Sequence, residues 1–245
     1  MFISRNTIII LPHLDDEFAL VPLIKSITRT NSNYLKVLYC AERIFDPNKR
    51  ERRIESSKAL SLLGCKKENI TYLNDSFEVN DLQLSASAEN IYNFIKNLYF
   101  IEKFDNIITL SFEGGHPDHD ALALIVDKFT KNYKVKSTYI PSYNYRKTLL
   151  IPISVFRPLK SQTHYFLSES FSMFCWVDCL KIVWIYKTER KAFIKLLPFI
   201  LFKCFFSKKI YYSNVIDIKS VEWEKSISKK RYKIEKKVIL DAINL

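Results

Sequence analysis

Short β-branched runs alternate with amphipathic stretches through residue 140, and this alternation narrows the fold more than any other feature of the chain. Asn6–Leu11 reads as a buried strand. Phe18–Thr28 reads as a helix after the acidic triplet Asp15-Asp16-Glu17. Tyr34–Cys40 is the second strand. Lys49–Leu63 is the second helix, closed by Gly64. Ile70–Leu73 is a third strand and Ala86–Tyr99 a helix, with Ile91, Phe94, Ile95 and Leu98 at core spacing. Asn106–Leu110 and the helix Asp120–Phe129 follow, and Tyr139–Pro141 begins a fifth strand. The pattern predicts an α/β fold: a Rossmann-like, mostly parallel sheet with helices on both faces.

After Pro141 the alternation blurs. Residues 142–185 are aromatic-rich and read as strands of a less regular C-terminal α+β extension, and residues 187–206 as a basic helix. Lys219–Lys237 holds eight Lys/Arg against three Glu and reads as a solvated helix face. At 245 residues the chain suits a single domain, with 1–140 forming a core and 141–245 an extension.

Glycine is scarce: Gly64, Gly114 and Gly115 are the only three. No G-x-G-x-x-G and no P-loop can be written, which excludes the usual glycine-built nucleotide cradles. The formal net charge of +12 suits an anionic partner or a lysine-rich surface without one. Five cysteines, an odd number without a C-x-x-C pair, suit reduced thiols and a cytoplasmic location. The N-terminal apolar run is too short for a signal-peptide core. The most apolar stretch, Leu196–Phe206, contains Pro198 and Lys203 and falls short of the ~20 apolar residues of a spanning helix.

The chemistry concentrates in two segments. Pro12-His13-Leu14-Asp15-Asp16-Glu17 follows the first strand, and Glu113-Gly114-Gly115-His116-Pro117-Asp118-His119-Asp120 follows the fourth. Ligands of open parallel sheets bind at the carboxyl ends of strands, so these distant segments can converge there. Three of the four histidines lie in them; the fourth, His164, reads as structural or surface. Imidazole and carboxylate together suit Zn²⁺, with Fe²⁺ as the alternative. A catalytic zinc keeps three protein ligands and a water whose pKa falls to roughly 7, and a nearby carboxylate can take that water's proton. For Asp15 the competing role is a helix cap.

The two segments resemble the signature motifs of the LmbE-like (PIG-L) family of metal-dependent deacetylases. P-H-P-D-D-E is met by Pro12–Glu17, with Leu14 in place of the second proline, and H-P-D-H is met in full by His116–His119. The resemblance implies His13, Asp16 and His119 as metal ligands and Asp15 as general base. It also implies His116 as the residue that stabilises the oxyanion or protonates the leaving amine, with Asp118 orienting and polarising His116. A weaker likeness, Arg52-Arg53-Ile54-Glu55 with Ala59 and Leu63-Gly64, implies Arg52 as a substrate contact, against the alternative of a surface arginine. The implied activity is removal of an acetyl group from an N-acetylated sugar or glycoconjugate. One alternative is a metal-dependent amidase or esterase acting on a non-sugar substrate. Another is a basic protein that binds nucleic acid or an anionic membrane through its C-terminal third, which leaves both motifs unexplained. The partners expected are therefore the small-molecule substrate and no nucleic acid, with weak contact to an anionic membrane surface through residues 187–209, where seven Lys/Arg and one Glu surround an apolar stretch.

Overall fold

The computed structural model describes residues 6–31, 35–145, 153–159, 166–168, 173–202 and 210–243. Five strands form one parallel sheet: β1 (Thr7–Leu11), β2 (Leu35–Tyr39), β3 (Ile70–Tyr72), β4 (Asn106–Leu110) and β5 (Lys136–Ile140), in the order β3-β2-β1-β4-β5. β1 is central, with Ile9 opposite Val37 on one side and Ile108 on the other. Its five residues are all buried, as a strand covered on both faces requires. Ile8 and Ile10 enter one core and Ile9 and Leu11 the other, following the two-residue period of a strand.

Between the strands run α1 (Val21–Asn31), α2 (Lys49–Leu62), α3 (Ala88–Glu102) and α4 (Pro117–Tyr133). α1 and α2 contribute to the Ile9–Leu11 core, α3 and α4 to the Ile8–Ile10 core. The expected alternation and layering are present, with shifted helix starts. A 3-10 turn, Asp16–Leu20, precedes α1. α4 begins at Pro117 rather than Asp120 because proline, with no N–H to leave unpaired, fits the first turn of a helix.

The extension departs further from expectation. Two small antiparallel pairs are present, β6 (Tyr143–Tyr145) with β7 (Ile153–Val155) and β8 (Phe166–Ser168) with β9 (Ile210–Tyr212). Met173–Ile185, however, is a helix, α5, paired with α6 (Arg190–Phe202). The sequence MFCWVDCLKIVWI is apolar almost all round, so periodicity did not separate helix from strand. α5 packs on α1 and α2, which supplies the tertiary contacts that settle its conformation.

The basic tail is also more than a solvated face. It forms a 3-10 turn (Trp223–Lys225), α7 (Ile227–Tyr232) and α8 (Lys236–Ile243). Val221, Trp223, Ile239 and Ile243 are buried beside α3 and α4, too widely spaced among lysines to show as an apolar stripe. Tyr139 and Ser213 exchange backbone hydrogen bonds of 2.7 and 2.9 Å, which ties the returning chain to the β5 edge. His164, with part of the extension, lies outside the described residues.

Candidate metal and catalytic site

β2 and β3 extend the sheet from one side of β1, and β4 and β5 from the other, so the strand order reverses between β1 and β4. The carboxyl ends of these two neighbours form the crevice in which open α/β sheets bind ligands. The Pro12–Glu17 loop leaves β1 there, and the Glu113–Asp120 segment leaves β4 there.

Both glycines of the second segment are required by close approach. A Cβ on Gly115 would lie 2.0 Å from the Tyr143 carbonyl oxygen. Gly114 has φ +69°, and a Cβ there would meet Ser226 at 2.7 Å. Asp120 fixes the loop from α4, accepting the Glu113 and Gly114 N–H groups at 2.8 and 2.9 Å and the Ser228 hydroxyl at 3.1 Å. Burial pushes the Asp120 carboxyl up to about 6 and the Glu113 carboxyl up to about 8. Asn144 and the Ser142 N–H donate to Glu113 at 2.8 and 2.9 Å.

Three donor groups meet at the crevice. Asp16 Oδ2 lies 3.2 Å from His13 Nδ1, and Asp16 Oδ1 lies 3.2 Å from His119 Nε2. Tetrahedral ligation at zinc–ligand distances near 2.0 Å separates neighbouring donors by about 3.3 Å, a spacing that each of the two Asp16–histidine pairs matches, through different carboxylate oxygens. Asp118 Oδ2 lies 3.0 Å from His13 Nε2, the ring nitrogen facing away from Asp16. A carboxylate on the far nitrogen is the usual means of orienting a ligating histidine. Electrostatics agree. Burial works against a charged His13, but hydrogen bonds to Asp118, Asp16 and Asp81 outweigh it and raise its pKa well above the usual range. A site that favours positive charge on His13 is suited to a cation. One ring nitrogen from each of His13, His116 and His119 lies within 4.8 Å of the other two, and so do single donor atoms of His13, Asp81, His116 and Asp118.

Asp15 occupies the N-cap position of the 3-10 turn, yet its side chain makes no capping hydrogen bond. It lines a cavity of about 250 Å³, with Arg52 Nη2 at 3.9 Å. Burial, reinforced by Asp16 and opposed by Arg52, pushes the Asp15 carboxyl up to about 6. That places it near the acidity a general base needs at neutral pH.

His116 caps α4: its Nδ1 accepts the Asp118 N–H at 3.2 Å. Burial, with His13 and His119 alongside, holds the ring far below its ordinary pKa. A neutral ring accepting at Nδ1 carries its proton on Nε2. His116 therefore offers a donor to the cavity it lines.

The Asp118 carboxylate does not orient His116 as the sequence reading expected. It accepts the Leu82 and Leu84 N–H groups at 2.7 and 3.2 Å and contacts His13. Only the Asp118 backbone N–H reaches the His116 ring, because α4 begins between the two residues. Arg52 is buried rather than a surface arginine, pairs with Glu189 and lines the cavity.

Several cavity residues carried no sequence signal. Asp81 Oδ1 lies 3.2 Å from His13 Nε2 and 3.8 Å from His116 Nε2. Arg43 bridges Asp81 and Glu189 at 3.2 and 2.9 Å. The Tyr143 ring packs on His119 and the Tyr232 ring on His116, with centroids 5.4 and 4.7 Å apart. None belongs to a local motif; the fold alone brings them in.

The family model for PIG-L, described as GlcNAc-PI de-N-acetylase, matches residues 8–130, half of the chain. The chain belongs to the PIG-L family. No curated protein matches the sequence. Among solved structures, a conserved protein of Thermus thermophilus is 13% identical over 89% of this chain and 96% of its own, with a TM-score of 0.60. A deacetylase of the teicoplanin biosynthesis pathway is 14% identical over 85% and 96%, with a TM-score of 0.58. The A40926 pseudoaglycone deacetylase is 14% identical over 85% and 95%, with a TM-score of 0.54. These likenesses show a shared fold, and their coverage of 85–89% of the chain carries it beyond residue 130 into the extension. Among the described residues no helix is long and apolar enough to cross a membrane.

Proposed function

We propose that this PIG-L protein is a zinc-dependent hydrolase that removes the acetyl group from an N-acetylated sugar or glycoconjugate. One observation carries the reading: Asp16 joins His13 and His119 at 3.2 Å each, and Asp15 and His116 line the same cavity. Family membership supports the reaction class. The deacetylases of similar fold, named for teicoplanin and A40926 pseudoaglycone, support a glycoconjugate substrate.

His13, Asp16 and His119 would hold the metal, with Fe²⁺ as the alternative to Zn²⁺. When bound, it supplies Lewis acidity and lowers the pKa of a water to about 7. Asp15 accepts the proton of the attacking water and returns it to the departing amine. His116 donates its Nε2–H to the oxygen that becomes negative as the carbonyl turns tetrahedral. Asp118 holds His13 in register. Arg52, between Asp15 and Glu189, keeps Asp15 from rising further in pKa and presents its edge to the substrate. Residues 1–140 supply this machinery, and 141–245 shape the pocket through Tyr143, Glu189, Arg231 and Tyr232.

The test is acetate release from a panel of N-acetylated sugars set against acetylated amines and peptides, using protein of measured metal content. Turnover confined to the non-sugar amides would overturn the substrate class.

A further inference from the structure

We propose that the outer face of α5 and α6 docks on the surface of an anionic lipid bilayer. This goes beyond the hydrolytic reading and does not depend on it.

The inner sides of the two helices are used: Cys175, Cys179, Ile182, Val183, Tyr186, Phe193 and Ile200 are buried in the core. The outer sides are nevertheless rich in large apolar groups. Along α5, Val177, Lys181 and Trp184 recur at helical spacing, all exposed, Trp184 to 69%. Along α6, Lys191, Ile194, Lys195, Leu201 and Phe202 are exposed, Ile194 to 52%. A tryptophan this open, in a row with other large apolar groups, marks a contact surface rather than scatter.

Charge indicates what covers it. Residues 173–202 contain two carboxylates, and both are engaged away from this face: Asp178 pairs with Lys25 at 3.0 Å, and Glu189 pairs with Arg43 and Arg52 at the cavity. No ion pair forms at Lys181, Lys187, Lys191 or Lys195 among the described residues. The Arg190 guanidinium lies 5.0 Å from the Trp184 ring centroid. Among the described residues the face is thus cationic and apolar together, with no negative group. A bilayer interface takes both: aromatic and aliphatic tips sink below the headgroups while lysine stems reach back to anionic phosphates. A nucleic-acid duplex has no use for Val177, Ile194, Leu201 and Phe202. Glu189, in the turn between the two helices, and Ala192 of α6 line the catalytic cavity, so docking here brings the mouth beside the membrane.

The experiment uses the full chain and vesicles of phosphatidylcholine with or without roughly one third phosphatidylglycerol, followed by co-sedimentation and tryptophan emission. The expected result is salt-sensitive binding to anionic vesicles alone, with a blue shift that Trp184→Ser removes. Near a charged surface each lysine contributes roughly five-fold in affinity, so the triple variant Lys181→Glu, Lys191→Glu, Lys195→Glu should bind at least ~100-fold more weakly. A control with the same charge change at exposed lysines elsewhere, Lys134→Glu, Lys136→Glu, Lys237→Glu, should bind within about two-fold of wild type. Circular dichroism on each variant verifies the fold. Absence of binding at low salt, equal loss in the control, unchanged binding of Trp184→Ser with the blue shift retained, or tighter binding to duplex DNA would each overturn the proposal. So would a dimer abolished by Trp184→Ser in a chain that ignores vesicles.

Discussion

Asp15→Asn separates a catalytic base from a helix cap because the two roles predict opposite changes in stability. The side chain makes no capping hydrogen bond, and its Arg52 contact is 3.9 Å away. Burial and Asp16 raise its carboxyl from 3.8 to about 6, with Arg52 opposing. A carboxyl whose folded pKa exceeds its unfolded value weakens the fold as pH rises from the unfolded value through the folded one, and the full penalty applies at pH 7. At 1.36 kcal/mol per pH unit, a rise of this size is about 3 kcal/mol in the metal-free protein, as an upper bound. The amide carries no charge and escapes it. Metal-free Asp15→Asn should therefore melt higher than wild type at pH 7, by roughly 2–4 °C per kcal/mol recovered, and the difference should vanish below about pH 4. The same variant should keep its metal yet lose at least ~10²-fold in kcat, with KM little changed, because the lost interaction acts in the transition state. Differential scanning calorimetry across pH, with steady-state kinetics and elemental analysis of the metal-loaded protein, reads all three quantities. A lower melting temperature with near-normal kcat would establish the cap and move the base elsewhere, most directly to His116.

Five other substitutions follow from the geometry. His13→Ala, Asp16→Ala and His119→Ala should each abolish stoichiometric metal binding, and full metal content by elemental analysis in the His119 variant would remove that residue from the ligand set. The Tyr186 hydroxyl donates to the Leu14 carbonyl at 2.6 Å and its oxygen lies within hydrogen-bond distance of the buried Glu17 carboxyl, which burial keeps protonated up to about 8, so Tyr186→Phe leaves both partners unpaired beneath the metal loop. It should lose about 1–3 kcal/mol in urea unfolding and bind metal more weakly. Gly115→Ala would place a methyl 2.0 Å from the Tyr143 carbonyl oxygen and should cost above ~3 kcal/mol or abolish soluble expression, whereas mild destabilisation by thermal melt would show that β6 can yield.

The sequence alone settled what local pattern can settle. Short, continuous β-branched runs bounded by turns marked the strands of the sheet. Ile9 and Ile10 had to be buried on both faces because a β-branched run between helices has no polar side to expose. The same locality marked His13, Asp15, Asp16, His116 and His119 as candidates, each in a short motif directly after a strand. It did not give the partners of those residues, because convergence depends on strand order. Only the β3-β2-β1-β4-β5 sheet sets His13 against Asp118, across 105 residues, and thereby transfers Asp118 from His116 to His13. Asp81, Glu189 and Tyr232 come from loops and short helices with no periodic signature, and they reach the cavity through tertiary contacts alone. α5 shows the limit most simply. A segment apolar on every side carries no record of which side will be buried, and its helix was decided by the surfaces of α1 and α2 against which it packs.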